Sequence, residues 1–115
     1  FKIGLASSSP KVLIEEVLSS LNLDKYFDVY ASADHVAYGK PKPDLFIYTA
    51  GLLHVIPREC VVIEDSKNGV KAAKAAGMKC IGFINPNSMN QDLSLADVKV
   101  NSIKEITIDL IKSLE

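Results

Sequence analysis

The stretch CVVIEDS, residues 60–66, decides the fold that this sequence predicts. Its first four residues are apolar and mostly β-branched, which is typical of a buried strand in a parallel sheet. Glu64 and Asp65 follow at the carboxyl end of that strand, the edge where open α/β sheets bind their ligands. Adjacent carboxylates suit Mg²⁺, which combines one or two carboxylates with phosphate oxygens and water. We therefore expect a metal-bound phosphate here; the alternative is a pair of solvated loop acids.

The composition is that of an ordinary single domain. Of the 115 residues, 48% are hydrophobic and 23% are charged, and the formal net charge is -1. Because no basic block occurs, neither nucleic acid nor an anionic membrane surface is an implied partner. No apolar run approaches the roughly 20 residues of a membrane span. Cys60 and Cys80 lie in apolar runs without metal-binding spacing, which favours reduced thiols and a cytoplasmic location, with a disulfide as the alternative.

A loop of three serines and a proline, residues 7–10, follows a predicted strand at residues 2–6. Ser9 is predicted to cap a helix that starts at Pro10. The free N–H groups and the dipole of such a helix would favour a phosphate beside the serine hydroxyls. A capping turn without a ligand is the alternative.

Lys40 stands in the stretch GKPKPD, residues 39–44, a loop that two prolines stiffen. Pro41 disfavours helical backbone dihedrals at Lys40 and fixes the loop's exit, which would aim the cation. The alternative is an ordinary solvated lysine. His35 and His54 have no partner at ligand spacing, and we predict a catalytic role for neither.

The rest of the chain continues an alternation of strands and helices. Further strands are predicted at residues 28–32, 80–84 and 98–100, and further helices begin after Pro43, at Ser66 and at Ser102. The alternation predicts an α/β fold: a doubly wound, mostly parallel, Rossmann-like sheet with helices on both faces. The hydroxyls, the lysine and the carboxylates would then share one sheet edge, as phosphoryl transfer requires.

These loops resemble the motifs of the haloacid dehalogenase-like superfamily of phosphatases and phosphomutases, most closely its β-phosphoglucomutase and sugar-phosphate phosphatase subgroup. IGLAS at residues 3–7 is similar to the second family motif, and residues 39–44 are similar to the third. Residues 61–66, with the small-residue helix that ends at Gly77, are similar to the fourth. The resemblance runs from residue 3 to about residue 84, in the family's order.

The resemblance implies a role for four residues in phosphoryl transfer. Ser7 would hydrogen-bond the transferring phosphoryl group, and Lys40 would bridge the nucleophile and the phosphoryl oxygens. Asp65, with Glu64 acting directly or through water, would hold Mg²⁺. The implied activity is that of a Mg²⁺-dependent phosphoryl-transfer enzyme acting on a small phosphorylated metabolite, with a sugar phosphate expected.

The resemblance also implies that Ser8, Ser9 and Lys11 bind the substrate's phosphate. Pro10 interrupts this loop as it does in the sugar phosphatases and not as in the mutase, which favours a phosphatase. A β-phosphoglucomutase-type mutase is the alternative.

The family's first motif, a strand that ends in Asp-x-Asp, has no match, because no two aspartates in this sequence are two positions apart. The mobile cap between the first and second motifs is also missing. We therefore expect residues 1–115 to be the C-terminal part of a larger enzyme's core domain and to be inactive alone. The absent central strand would lie between the strands of Ser7 and Asp65. Either those strands pair directly, or self-association or a complementing segment fills the gap.

Two other classes of protein remain as alternatives. The chain could be a non-catalytic module kept for binding or regulation. It could also be a receiver of the response-regulator type, which carries acids, a hydroxyl and a lysine on a similar sheet. In a receiver, however, the paired acids follow the first strand and the lysine comes late, whereas Lys40 here precedes both acids.

Overall fold

The computed structural model describes residues 1–88 and 90–115 and contains parallel strands that alternate with helices. The strands are β1 (Gly4–Ser7), β2 (Val29–Ser32), β3 (Val61–Glu64), β4 (Lys79–Phe83) and β5 (Val98–Val100). The helices are α1 (Lys11–Ser20), α2 (Asp44–Leu52), α3 (Lys67–Ala75) and α4 (Ile108–Ser113). The predicted α/β fold class is confirmed. No helix in the described ranges is long and apolar enough to cross a bilayer.

The strands form two parallel sheets. β1 pairs with β2, and β4 lies between β3 and β5. β1 and β3 are not hydrogen-bonded to each other, so the alternative of direct pairing is wrong. Each of these two strands keeps an edge without a strand partner among the residues that the structure describes, as expected of a sheet that lacks its central strand.

An apolar cluster beneath the strands joins the two halves of the molecule. α2 packs against β1 and β2, and α3 packs against β3 and β4. Phe46 and Ala50 of α2 meet Val70 and Ala73 of α3 in this cluster. Ala73 is completely buried, and its small side chain lets α3 approach its sheet closely. The cluster therefore holds α2 and α3, and with them the two sheets, in fixed positions.

Cys80 of β4 lies in the same cluster and is completely buried. Burial, followed by the negative charges of Glu64 and Asp97, raises the pKa of the Cys80 thiol to about 12. Cys80 is therefore a protonated, apolar core residue, and both it and Cys60 are free thiols.

Helix α1 does not begin as predicted. Pro10 is extended, with φ -60° and ψ 149°, and the helix starts at Lys11 without a side-chain cap from Ser9. The Lys11 N–H donates instead to Asp34 Oδ2 at 2.9 Å. Asp34 is far along the sequence, so a tertiary contact replaces the predicted local cap.

The other predicted helix ends are partly confirmed. Ser66 Oγ accepts the Gly69 N–H at 3.0 Å and caps α3, while Gly77, with φ +78°, follows its end. Ser102 and Glu105 form a capping box at the predicted start of the last helix, but it opens only a single 3₁₀ turn. The chain becomes extended again, and Thr107 caps the separate helix α4.

The segment at residues 88–97 lies between β4 and β5 in the chain. Apart from Met89, which lies outside the described residues, it contains no helix or strand. Leu93 is nevertheless buried in the apolar cluster.

Asp97 fastens the end of this segment to β4 and α3. Its Oδ2 accepts the Cys80 N–H at 2.7 Å and the Lys74 ammonium at 2.8 Å. Burial raises the pKa of Asp97, but the hydrogen bonds from Lys74 and Cys80 outweigh that effect and bring the pKa below 3.8. The folded protein therefore favours the carboxylate form.

We expect Asp97→Ala to lower the free energy of unfolding at pH 7 by about 1–3 kcal/mol, because the buried Cys80 N–H loses its acceptor. A lowered carboxyl pKa stabilises the fold above the pKa of the unfolded chain, and this contribution is lost as the pH falls through the folded pKa. Urea unfolding should therefore show a full difference from wild type at pH 7 and a smaller one below pH 3.8. Glu16→Ala, at an exposed carboxylate, is the control; an equal loss in both variants would contradict the prediction.

Candidate active site

The loop at residues 39–44 and the end of β3 meet in a short ion pair. Lys40 Nζ lies 2.6 Å from Glu64 Oε1, and the two side chains are only 12% and 11% exposed. The Lys40 ammonium also lies 5.0 Å from the centre of the Phe46 ring. A turn in which the Lys42 N–H donates to the Gly39 carbonyl at 3.0 Å holds the loop. The loop at residues 39–44 thus places the Lys40 ammonium against the carboxylate that ends β3.

Both oxygens of Glu64 are engaged. While Lys40 binds Oε1, Ser66 Oγ donates to Oε2 at 3.0 Å, the same hydroxyl that caps α3. Gly69 in the first turn of α3 is required by this arrangement, since a Cβ there would overlap the Glu64 carboxylate. No local pattern in the sequence indicates this role of Gly69.

Asp65 forms hydrogen bonds with residues other than those that contact Glu64. Its Oδ2 accepts a hydrogen bond from Asn85 Nδ2 at 3.0 Å and a longer contact from Ser88 Oγ at 3.4 Å. These residues line a cavity of about 130 Å³, together with Asn90 and Gln91. Sequence reasoning missed Asn85 and Ser88, although one signal was available: both follow β4, the neighbour of β3, at the same sheet edge.

The serine loop after β1 is held by the end of β2. Ser7 Oγ accepts the Ser9 N–H at 3.1 Å, and Ser32 Oγ donates to the Ser9 carbonyl at 2.7 Å. Ser32 is completely buried and also accepts the Asp34 N–H at 3.0 Å. Ser7 Oγ acts only as an acceptor in this bond, so its hydroxyl hydrogen has no acceptor among the described residues and is available for an anion. Ser8 is exposed beside it.

The serine loop and the ion pair lie at the carboxyl ends of β1 and β3. Within residues 1–88 and 90–115, no hydrogen bond joins Ser7, Ser8, Ser9 or Lys11 to Lys40 or Glu64. Helix α2 links the serine loop to the Lys40 loop, because it starts just after the Lys40 loop and packs against β1. Because Asp34 already takes the Lys11 N–H, an anion would meet the serine hydroxyls and the Lys11 ammonium and not that N–H.

The donor atoms suit a hard cation that retains other ligands. In the described part of the chain, no group of three or more histidine, cysteine, aspartate or glutamate side chains could hold a metal ion. Of the two adjacent acids, Asp65 forms no ion pair with the residues that the structure describes, and Glu64 lies beside it at the end of β3. A cation here would fill its remaining coordination positions with water and phosphate oxygens. Mg²⁺ prefers such a set of ligands to a site made only of protein groups.

The family model of the haloacid dehalogenase-like hydrolases matches residues 1–77 of the chain. Hexitol phosphatase B of Escherichia coli K12 is 43% identical over 106 residues, covering 91% of this chain and 48% of that protein. Beta-phosphoglucomutase of Bacillus subtilis is 36% identical over 110 residues, covering 96% and 46%. The chain therefore spans about half the length of these curated relatives.

A solved structure of beta-phosphoglucomutase from Clostridium difficile has the same fold. It superposes with a TM-score of 0.85 at 32% identity, covering 99% of this chain and 48% of that one. The shared fold thus agrees with the sequence relationship. The chain belongs to the haloacid dehalogenase-like hydrolase family.

Proposed function

We propose that the chain is part of a Mg²⁺-dependent phosphatase that acts on a small phosphorylated metabolite of the sugar-phosphate class. The observation that carries the proposal is the nearly buried Lys40–Glu64 pair beside Asp65. A cation and two carboxylates at the end of a parallel strand provide the charge that phosphoryl transfer requires. Relatives named hexitol phosphatase B and fructose-1-phosphate phosphatase, both from Escherichia coli, support this substrate class.

The proposed roles follow from the contacts of each residue. Asp65 would bind Mg²⁺, with Glu64 reaching it through water because Lys40 and Ser66 occupy both Glu64 oxygens. Bound there, Mg²⁺ would supply positive charge to the phosphoryl oxygens. The Lys40 ammonium would neutralise charge on the same group.

The second loop would hold the phosphoryl group from its other side. Ser7 would donate its hydroxyl hydrogen to a phosphoryl oxygen, and Ser8, Ser9 and Lys11 would hold the phosphate. Ser32 keeps this loop rigid, which reduces the reorganisation needed when the anion binds.

The attacking group would come from a strand that pairs with the open edges of β1 and β3. Ser7 accepts a hydrogen bond from the Ser9 amide and is not bonded to a general base in the described residues, so it is not activated as a nucleophile. An aspartate on the inserted strand would attack the phosphorus and break its bond to the metabolite oxygen, so that the metabolite leaves as an alcohol and water then hydrolyses the aspartyl-phosphate. The strand would belong to a further segment of the protein. Residues 1–115 alone would then be inactive.

A mutase is the second candidate, supported by the TM-score of 0.85 to beta-phosphoglucomutase. Both activities would use the same Lys40, Glu64 and Asp65. They differ in whether the phosphoryl group passes to water or to a sugar hydroxyl. Product analysis of glucose-phosphate turnover distinguishes them, since only hydrolysis releases inorganic phosphate.

We expect Asp65→Asn to lower Mg²⁺-dependent turnover of p-nitrophenyl phosphate by the complete protein about 10²–10³-fold, because a neutral amide oxygen binds the cation much more weakly than a carboxylate does. Asp92→Asn, at an exposed carboxylate outside the site, is the matched control and should retain activity. Equal activity in both variants would rule out a metal-binding role for Asp65.

We expect Gly69→Ala to push Glu64 away from Lys40, because the new methyl group would occupy the volume of the carboxylate. The overpacking should destabilise the protein by about 1–3 kcal/mol, measured by urea unfolding, and reduce phosphatase activity.

Gly51→Ala in α2 is the matched control for this change. A Cβ at Gly51 meets nothing within 4 Å, so alanine there should stabilise the protein by about 0.5–1 kcal/mol. Similar effects of the two substitutions would show that Gly69 is not needed for Glu64.

A further inference from the structure

The hydrogen bonds on Asp65 are unevenly distributed between its two oxygens. Asn85 Nδ2 and Ser88 Oγ both approach Oδ2, at 3.0 Å and 3.4 Å. The Ser88 contact is longer than an ordinary O–H···O hydrogen bond, so Asn85 provides the main restraint. Within the described ranges Oδ1 receives no hydrogen bond. The carboxylate is therefore held through one oxygen, and the other is available to a ligand.

The Asn85 amide is itself locked in one orientation. Its Oδ1 accepts the Asn87 N–H at 2.9 Å, while the Ser88 N–H donates to the Asn85 main-chain carbonyl at 3.1 Å. Pro86 occupies the second position of this turn, where its fixed φ is favourable. Rotating the amide by 180° would place an NH₂ group against the Asn87 N–H and an oxygen against Asp65. Only the orientation with Nδ2 toward Asp65 satisfies both neighbours.

The sheet fixes the distance between the two residues. Asp65 follows β3 and Asn85 follows β4, and these strands are paired with Glu64 opposite Gly82. On the other side of β4, the Ile84 N–H donates to the Val100 carbonyl at 2.8 Å. The chain that carries Asn85 is thus held by backbone hydrogen bonds up to the residue before it.

We propose that Asn85 is a positioning residue that fixes the rotation of the Asp65 carboxylate, so that Oδ1 is presented to the bound cation. The inference rests on the proposed Mg²⁺ site and adds a residue to it. Groups that hydrogen-bond a metal-binding carboxylate commonly change metal affinity 10–100-fold. They restrict the carboxylate before the metal binds, so that it loses less conformational freedom on binding. Asn85 has the fixed donor, the anchored strand and the short contact that this role requires.

The test is a titration of the ¹⁵N-labelled complete protein with MgCl₂ alone, followed by NMR. The side-chain NH₂ signals of Asn85 and the backbone signal of Asp65 should shift along one saturable curve. Asn85→Ala should raise the dissociation constant for Mg²⁺ about 10–100-fold. Asn87→Ala, in the same turn, should change it less than about twofold, because the bond to Asn85 comes from the Asn87 main chain.

Asn85→Ser separates the two contacts of the amide. A serine hydroxyl can still accept the Asn87 N–H, as serine does in such turns, but it is too short to reach Asp65. This variant should keep the dispersed spectrum of the wild-type chain and still lose Mg²⁺ affinity. It also provides the test if Asn85→Ala does not fold.

The outcomes distinguish this inference from the proposed function. If Asp65→Asn abolishes the shifts while Asn85→Ala and Asn85→Ser bind Mg²⁺ like wild type, the positioning role is wrong and the metal site stands. If the wild-type chain shows no saturable shift, the metal site is wrong and the role of Asn85 with it.

Discussion

The ion pair between Lys40 and Glu64 is the interaction on which the rest of the site depends. Lys40 belongs to the half of the molecule that contains β1, β2 and α2, whereas Glu64 ends β3 in the other half. The side chains meet at 2.6 Å with little exposure, so removing either would leave an almost buried charge without its partner. Because β1 and β3 do not pair, this contact and the apolar cluster below it set how the two sets of loops face each other.

Contacts between neighbouring loops give the remaining site residues their orientation. Ser32 and Asp34, after β2, hold the backbone of the serine loop, and Asn85, after β4, holds Asp65. In each case a strand end restrains the loop of the adjacent strand. Parallel pairing therefore brings the candidate residues to one edge and also supplies the groups that fix them there.

The features that could be predicted from the sequence are those that depend on residues close together in the chain. The strand before the paired acids and the helix start at Ser66 depend on residues a few positions apart, and both were predicted correctly. The failures involve long-range contacts. Asp34 replaces Ser9 as the partner of the α1 N-terminus from 23 positions away, and Asn85 reaches Asp65 from 20 positions away. Neither pairing leaves a periodic pattern in the sequence.

The ion pair can be tested by a double-mutant cycle of Lys40→Met and Glu64→Gln, with the free energy of unfolding measured in urea for all four proteins. If the pair joins the two halves as described, the coupling energy should be about 1–3 kcal/mol, as for residues in close, shielded contact. A coupling at or below about 0.5 kcal/mol, the value of an exposed surface pair, would contradict the account.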